Sequence, residues 1–462
     1  MTLTLLFVYA AALIALGWWS SRTATASDFF VAGRRLSPAL LAGTLIAANI
    51  GAGSTVGAAG LGYRDGLAAW WWVGSAGLGS IVLALVVGPR IWRIAASEDH
   101  RTLGDFLKAR FGPEVRALMA ALLWFGSLAI LAAQLIALGG LLQTVAGVPR
   151  AWGCVIGGVV ATLYFATGGL LSSAKVNAVQ VCVLVGGLLL ALPFAWPAAG
   201  LAVSLPADVP VSYWSALASG GSGIVYLALL GPSFIVSPGL LQKVYGARDA
   251  RAVRIGVLLN AVVLLAFAAV PVLLGMLARV SHPVLDNHEL ALPMLLRDDL
   301  PPWLGALALT ALFSAEVSTA DAVLFMLSTS VARDLYAGHL RPAATQDEQL
   351  RVVRGAAVIA GALGVGIAIW AGSIVRTMGL FYSVLSAGLF VAVIAGLFVP
   401  RAGRRHALAT MLAGVVTTTA MHATTAGAGL VGLAPVVWGL LASTAALVVA
   451  LGRARSPSGP SS

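Results

Sequence analysis

The sequence predicts an all-α, polytopic membrane protein of about thirteen helices, and three observations carry that prediction. The first is an apolar surplus: 60% of the 462 residues are hydrophobic and 10% are charged, whereas a soluble domain averages roughly 25% charged and under half apolar. The second is that apolar runs long enough to cross a bilayer recur along the whole chain. The third is that the basic residues fall on one side of those runs.

The runs lie at 3–19, 38–63, 67–87, 115–145, 151–166, 171–196, 215–239, 255–277, 303–331, 353–371, 375–399, 407–421 and 429–451. An odd number puts the two chain ends on opposite sides. With the N-terminus outside, only Arg64, Arg150, Arg279, Arg297 and Arg376 fall outside, and the other 23 of 28 Lys and Arg, Lys243 among them, fall inside. Such a bias is what sets membrane orientation. The net charge of +11 is thus a topology signal, which excludes nucleic acid as a partner. The expected orientation is N-terminus outside and C-terminus cytoplasmic. The Lys-poor, Arg- and Ala-rich usage fits a GC-rich bacterial gene, hence a bacterial inner membrane.

Taken in order, the first run has no basic segment before it and reads as an anchor, not a cleaved leader. The second is interrupted by Ala47-Ala48-Asn49-Ile50-Gly51-Ala52-Gly53-Ser54. Glycine weakens a helix, and non-helical backbone at membrane depth is tolerated only where it is buried in protein or lines a cavity. Gly57, Gly60 and Gly62 read as close-packing positions. Trp70-Trp71-Trp72 at the start of the third run is expected in an outer interfacial belt, with Trp18 and Trp19 its inner counterpart. Between the third and fourth runs, Leu103, Phe106, Leu107 and Phe111 share one face, as in a short interfacial helix. Cys154 and Cys182 sit in runs and read as inert small hydrophobes.

The seventh run is interrupted at Gly231-Pro232-Ser233-Phe234 and again at Ser237-Pro238-Gly239. The two broken runs each open a set of five, an odd number, so the second set lies inverted relative to the first. The expected layout is an N-terminal helix in 1–37, a first repeat in 38–199, an inverted second repeat in 213–400, two more helices in 401–452 and a disordered tail in 453–462. Paired interrupted helices in an inverted repeat point to the binding site of a transporter. The loop holding His282, Asp286, His288 and Glu289 lacks metal-ligand spacing and reads as solvated.

The ninth run holds the only two acids placed well inside the membrane, Glu316 and Asp321, beside Ser318 and Thr319. Intramembrane ionisable groups are functional candidates by default. Hydroxyl oxygens and freed carbonyls suit a hard monovalent cation. Glu316 reads either as a neutral hydrogen-bonded core acid or as a coupling acid that lets protons assist or replace the ion. Asp321 reads as the partner of a polar or basic neighbour.

Several stretches resemble the solute:sodium symporter family: Asp28-Phe29-Phe30-Val31-Ala32-Gly33-Arg34, Ala47 through Gly62-Tyr63, Thr167-Gly168-Gly169-Leu170, Gln242-Lys243, and Ser318 through Asp321 running on to Arg333-Asp334-Leu335-Tyr336. The resemblance spans nearly the whole chain. It implies a LeuT-like core of five plus five inverted helices and solute uptake coupled to a sodium gradient. It implies a sodium site made of the Ala47, Ile50 and Ala315 carbonyls with the Ser318 and Thr319 hydroxyls. It also implies a substrate site near Asn49, Gly53, Ser54, Gln134, Ser233 and Phe234. Asn177 stands where many members have an acid, which leaves a second sodium site open, and Gly53 and Ser54 argue against a sugar.

The expected function is a sodium-coupled symporter importing a small organic solute, an amino acid, a monocarboxylate or similar, by alternating access. Its partners are that solute, sodium ion and the lipid bilayer. Proton coupling through Glu316 and a transporter-like membrane sensor are the alternatives. A channel would need a continuous polar pore-lining row and an enzyme a paired catalytic set; neither pattern is present. The solute's identity, the stoichiometry and the oligomeric state stay open.

Overall fold

A computed structural model of the chain describes residues 2–21, 34–167, 170–198, 209–217, 222–425 and 427–453. The helices in chain order are α1 (Thr2–Ser21), α2 (Pro38–Asn49), α3 (Ala58–Asp65), α4 (Trp70–Val82), α5 (Gly88–Ser97), α6 (Leu103–Phe111), α7 (Pro113–Ala146) and α8 (Arg150–Thr167). Then come α9 (Leu170–Ala198), α10 (Ser222–Val236), α11 (Pro238–Tyr245), α12 (Ala250–Phe267), α13 (Ala269–Ser281) and α14 (Ala291–Asp298). The last are α15 (Pro302–Thr329), α16 (Gln346–Trp370), α17 (Ile374–Ser383), α18 (Val391–Phe398), α19 (Arg404–Thr424) and α20 (Pro435–Arg453). Each of the thirteen expected runs lies largely in these helices.

Among the described residues, nine helical stretches are long and apolar enough to cross a membrane, with Pro38–Asn49, Arg150–Phe165 and Val183–Trp196 as shorter apolar helices. The expected count of thirteen is therefore not reached on length alone. One reason is local: the second run is cut after Asn49, and its remainder joins the third run in a single stretch, Gly53–Ser97. The turn inside that stretch rests on Gly66 at φ +70°, where a Cβ would lie 2.0 Å from the Tyr213 carbonyl oxygen.

The breaks follow from local chemistry. Ser37 caps α2 by accepting from Leu40 N at 3.3 Å, and Pro38 at the first helical position has no amide to leave unpaired. The helix ends where Ile50 turns extended (φ −99°, ψ 91°), and the chain resumes through a wide π turn, Gly53–Gly57. In the seventh run Pro232 is accommodated inside α10. The interruption falls instead at Ser237 (φ −53°, ψ 118°), because proline biases the residue before it away from helix.

The centre of the bundle is α7 and α15, whose middle turns are buried on every side. Apolar side chains on the outer helices, such as Phe7, Phe125, Trp152, Val262 and Val416, are exposed, as lipid-facing surfaces require. Loops that the charge asymmetry assigns to one side are bonded to one another. Arg34 donates to Ala95 O, Asp99 and His100 O, Leu36 pairs with Gly246 and Arg248, and Arg404 meets Glu114 at 2.6 Å. On the opposite side Arg297 donates to Thr144 O and Arg150 to Ile369 O.

Two local expectations change. The helix α6 carries a Thr102–Asp105 capping box, but its Leu103, Phe106, Leu107 and Phe111 are all buried against protein instead of facing lipid. Phe111 and Phe106 pack at Gly396, and Asp105 pairs with the buried Arg116 at 3.2 Å. The loop acid Glu289 is not solvated. It is 2% exposed and caps α17, accepting from Ser373 Oγ at 2.8 Å, Ile374 N at 2.9 Å and Val375 N at 3.2 Å. The side chains of Trp18, Trp19, Asn177 and Cys182 lie outside the described residues, as do most of the Asp28–Arg34 stretch and Gly168-Gly169.

Candidate ion and solute site

The break after α2 presses against the middle of α15. Thr319 Oγ1, 3% exposed, lies 3.3 Å from the Ala47 carbonyl oxygen and 3.3 Å from that of Ile50. Those distances are long for O–H···O bonds, whose mode is about 2.8 Å. They match neighbouring oxygens that share an octahedral cation at about 2.3 Å, longer than the roughly 2.1 Å that magnesium demands. Ser318 and Ala315 are buried in the same stretch of α15, one position and one turn before Thr319. The donor set is all oxygen and suits a hard monovalent cation.

The site requires a glycine. A Cβ on Gly51 would lie 2.3 Å from Thr319 Oγ1, 2.7 Å from Thr319 Cβ and 2.8 Å from Gln134 Oε1. Gln134, fully buried on α7, accepts from the Ala52 amide at 2.8 Å, an amide the broken helix leaves without a partner of its own. Ser54 Oγ bridges Asn49 O at 2.8 Å and the Gly51 amide at 3.0 Å. Asn49 donates to Asn260 on α12 at 3.0 Å, and Asn260 in turn to Ser80 at 3.2 Å. The broken segment thus satisfies part of its backbone through its own Ser54 and Thr55 and is tied to α7 through Gln134 and to α12 through Asn49.

Glu316 is fully buried and meets the same segment. Thr55 Oγ1 lies 3.0 Å from Glu316 Oε1 and 2.9 Å from Gly51 O. Thr55 Oγ1 can donate to Glu316 Oε1, because Gly51 O already accepts from the Ser54 and Thr55 amides, each at 3.0 Å. Glu316 is thus hydrogen-bonded to the broken segment through Thr55.

A cavity, part of it open, lies beside the break. Asn49, Gly53, Ser54, Gln134, Ser233 and Phe234, all expected from the sequence, line it together with Thr319. Ser233 lines the wall but turns its hydroxyl into the protein, within reach of Leu229 O at 2.6 Å, Tyr382 O at 2.9 Å and Ser386 Oγ at 2.9 Å, of which its one proton serves one carbonyl. Sequence reasoning missed one wall of the cavity, formed by Trp72, Met378, Phe381 and Tyr382. Trp72 is 2% exposed, not part of an interfacial belt. Its indole donates to Gly53 O at 2.8 Å, and its ring stands edge-on to Tyr382 at 5.9 Å. Lys243, expected in a cytoplasmic connection, also lines the cavity and is 4% exposed.

Residues 29–414 match the sodium:solute symporter family. The chain belongs to that family. The symporter is 28% identical over 448 residues to the sodium/pantothenate symporter of Escherichia coli K12, covering 92% of this chain and 89% of that one. It is 24% identical over 455 residues to the sodium/glucose cotransporter of Vibrio parahaemolyticus, covering 88% and 82%. Among solved structures, a Na+-coupled sialic acid symporter in a substrate-bound outward-open state superposes with a TM-score of 0.80 at 18% identity, covering 98% of both chains. A nucleobase-cation-symport-1 family transporter superposes at 0.62 and 15% identity over 92% and 94%. The fold is the LeuT-like one expected. The protein is therefore a multi-pass membrane transporter, not an enzyme, and sodium is its coupling ion.

Proposed function

We propose that the symporter imports a small organic solute by alternating access, with sodium held by the Ala47, Ile50 and Ala315 carbonyls and the Ser318 and Thr319 hydroxyls. The observation that carries this reading is Thr319 Oγ1 standing 3.3 Å from both Ala47 O and Ile50 O. An ion there joins the break of one repeat (38–199) to α15 in the other (213–400). Sodium fixes the break, the solute binds in the cavity beside it, and the repeats rock so that both leave on the cytoplasmic side. With the N-terminus outside, as the placement of 23 of 28 basic residues favours, that movement is import across a bacterial inner membrane. Each charge moved inward contributes about 2.3 kcal/mol per 100 mV.

The relatives named above carry pantothenate and glucose, so membership leaves the solute open. Glu316 enters as a holder of the break. The experiment is thermal stability of the purified protein in sodium against choline, with the Ser318→Ala/Thr319→Ala variant alongside. A sodium-specific rise that the double variant loses is expected. An equal rise in both proteins, or none in the parent, overturns the site.

A further inference from the structure

On the outside of the bundle, the seam between α4–α5 and α12 ends in arginines. α4 runs through a π turn, Leu83–Val87, into α5, and α12 packs along both. The two lie antiparallel. A Cβ on Gly77 would lie 2.8 Å from Leu265 Cγ, one on Gly88 would lie 3.0 Å from Val253 Cγ1, and the Trp92 indole donates to Ala247 O at 2.9 Å. Along α4–α5, Val82, Val86 and Arg93 follow at one and then two turns; along α12, Arg251, Ile255, Leu259 and Val262 follow at successive turns. The apolar members of both stripes are exposed, from 38% at Ile255 to 63% at Val262. Each stripe lies roughly a third of a turn past the face that touches the other helix. Because the helices are antiparallel, these offsets bring both stripes to one side of the seam. Arg254 falls between the α12 stripe and the contact face, so Arg93, Arg251 and Arg254 share the end of that surface.

That end is on the side which the charge asymmetry assigns to the cytoplasm. All three arginines are exposed, and none makes a hydrogen bond or an ion pair among the described residues. Several other arginines of that side are engaged: Arg34 and Arg101 with Asp99, Arg116 with Asp105, Arg404 with Glu114. Neither α5 nor α12 contains an acid that could pair with the three. We propose that this surface binds one anionic phospholipid, with its phosphodiester on Arg93, Arg251 and Arg254 and its acyl chains along the two stripes. A guanidinium fork matches a pair of phosphate oxygens, and basic pockets between helices on the cytoplasmic side take anionic headgroups. A free phosphate would leave the stripes uncovered, and a zwitterionic headgroup would bring a further cation to three. The lipid would splint α4–α5 to α12, helices already joined through Asn260 and Ser80. The site is separate from the ion and solute site and stands independently of it.

The test uses the purified full chain in detergent, with Tm titrated against phosphatidylglycerol, phosphatidylcholine of the same chains, and glycerol 3-phosphate. One arginine near an anionic surface is worth about fivefold, so three should make phosphatidylglycerol half-saturate about 100-fold lower than phosphatidylcholine. Glycerol 3-phosphate should give no shift. Each of Arg93→Gln, Arg251→Gln and Arg254→Gln should cost about fivefold, and the triple variant should abolish the preference. The triple Arg351→Gln/Arg354→Gln/Arg405→Gln removes the same charge from exposed arginines of α16 and α19 and should keep it. Equal half-saturation for the two lipids, or a preference unchanged in the first triple, would overturn the inference. A preference lost equally in both triples would also overturn it, leaving only diffuse attraction to a basic face. A shift with glycerol 3-phosphate as large as with the lipid would make the site one for a free phosphate and overturn the lipid. Should the first triple fail to fold, the three single variants against the parent decide.

Discussion

Replacing Gly51 with alanine puts one methyl group at the junction of the ion site and the cavity wall. The added Cβ would lie 2.3 Å from Thr319 Oγ1, 2.7 Å from Thr319 Cβ and 2.8 Å from Gln134 Oε1. None of these neighbours withdraws easily. Thr319 sits in the middle of a buried helix, and Gln134 is held by the Ala52 amide. Overpacking of this kind costs about 1–3 kcal/mol. The strain falls on the ion-competent arrangement, since it pushes Thr319 away from Ala47 O and Ile50 O. At 1.4 kcal/mol per tenfold, that weakens sodium about 5–150-fold. The assay is thermal stability titrated with sodium at constant ionic strength, with Gly366→Ala as the control, because a Cβ there meets nothing within 4 Å. Gly51→Ala should need far more sodium for half its shift, while Gly366→Ala should match the parent. A half-saturation within twofold of the parent in Gly51→Ala would refute the claim that the break and Thr319 form one site.

Thr319→Ser keeps the hydroxyl and should hold the sodium half-saturation within about threefold, whereas Thr319→Ala should raise it about 10–100-fold, the weight of one charge-assisted oxygen contact; equal effects in a sodium-dependent uptake assay would remove the hydroxyl from the site. Glu316→Gln keeps a bonding group at Thr55 and should leave the pH profile of uptake unchanged, while Glu316→Leu should lower thermal stability by about 1–3 kcal/mol through loss of the Thr55 contact. A flattened pH profile in the glutamine variant would instead give the proton a part in coupling. Glu289→Ala strips three donors at the start of α17 of their acceptor and should destabilise the protein by about 1–3 kcal/mol with the sodium response intact; no change in Tm would sink the capping role.

The parts legible in the sequence were those with a one-dimensional signature. Lipid-facing helices declare themselves by length and apolarity, and the breaks by Gly51, Gly53 and Ser237-Pro238. The pairing of Ala47 and Ile50 with Thr319 was implied by the resemblance to the solute:sodium symporter family; the residues alone pointed only to Ser318 and Thr319 facing the broken second run. What was not legible depended on rotation and approach in three dimensions. Trp72 and its neighbours Trp70 and Trp71 read alike, yet only the rotation of α4 decides which of them reaches Gly53. Lys243 counted as a loop cation because α11 ends two residues later, and nothing local shows that its side chain reaches the cavity. Glu289 looked like a loop acid because its donors, Ser373 to Val375, lie 84 or more residues away. The faces of α6 had the right periodicity, but periodicity does not say whether an apolar face meets lipid or protein.

In the proposed site coupling needs no long pathway, because the same few atoms would serve both ligands. Gln134 accepts from Ala52 in the break and also lines the cavity. Thr319 belongs to the proposed ion oxygens and to the cavity wall. Sodium held in the proposed way, with Ala47 O and Ile50 O against α15, would therefore fix the wall on which the solute would land. A ligand shifts an equilibrium only by its differential affinity for the two states, and the coupling between two ligands is reciprocal. If sodium tightens the solute by a factor in the usual range of about 5–150, the solute must tighten sodium by the same factor. Solute Kd with and without sodium, set against sodium half-saturation with and without solute, should give one number. Two different factors would mean that the ligands do not share the break, and that the ordering of Gly51 through Thr55 is not what links them.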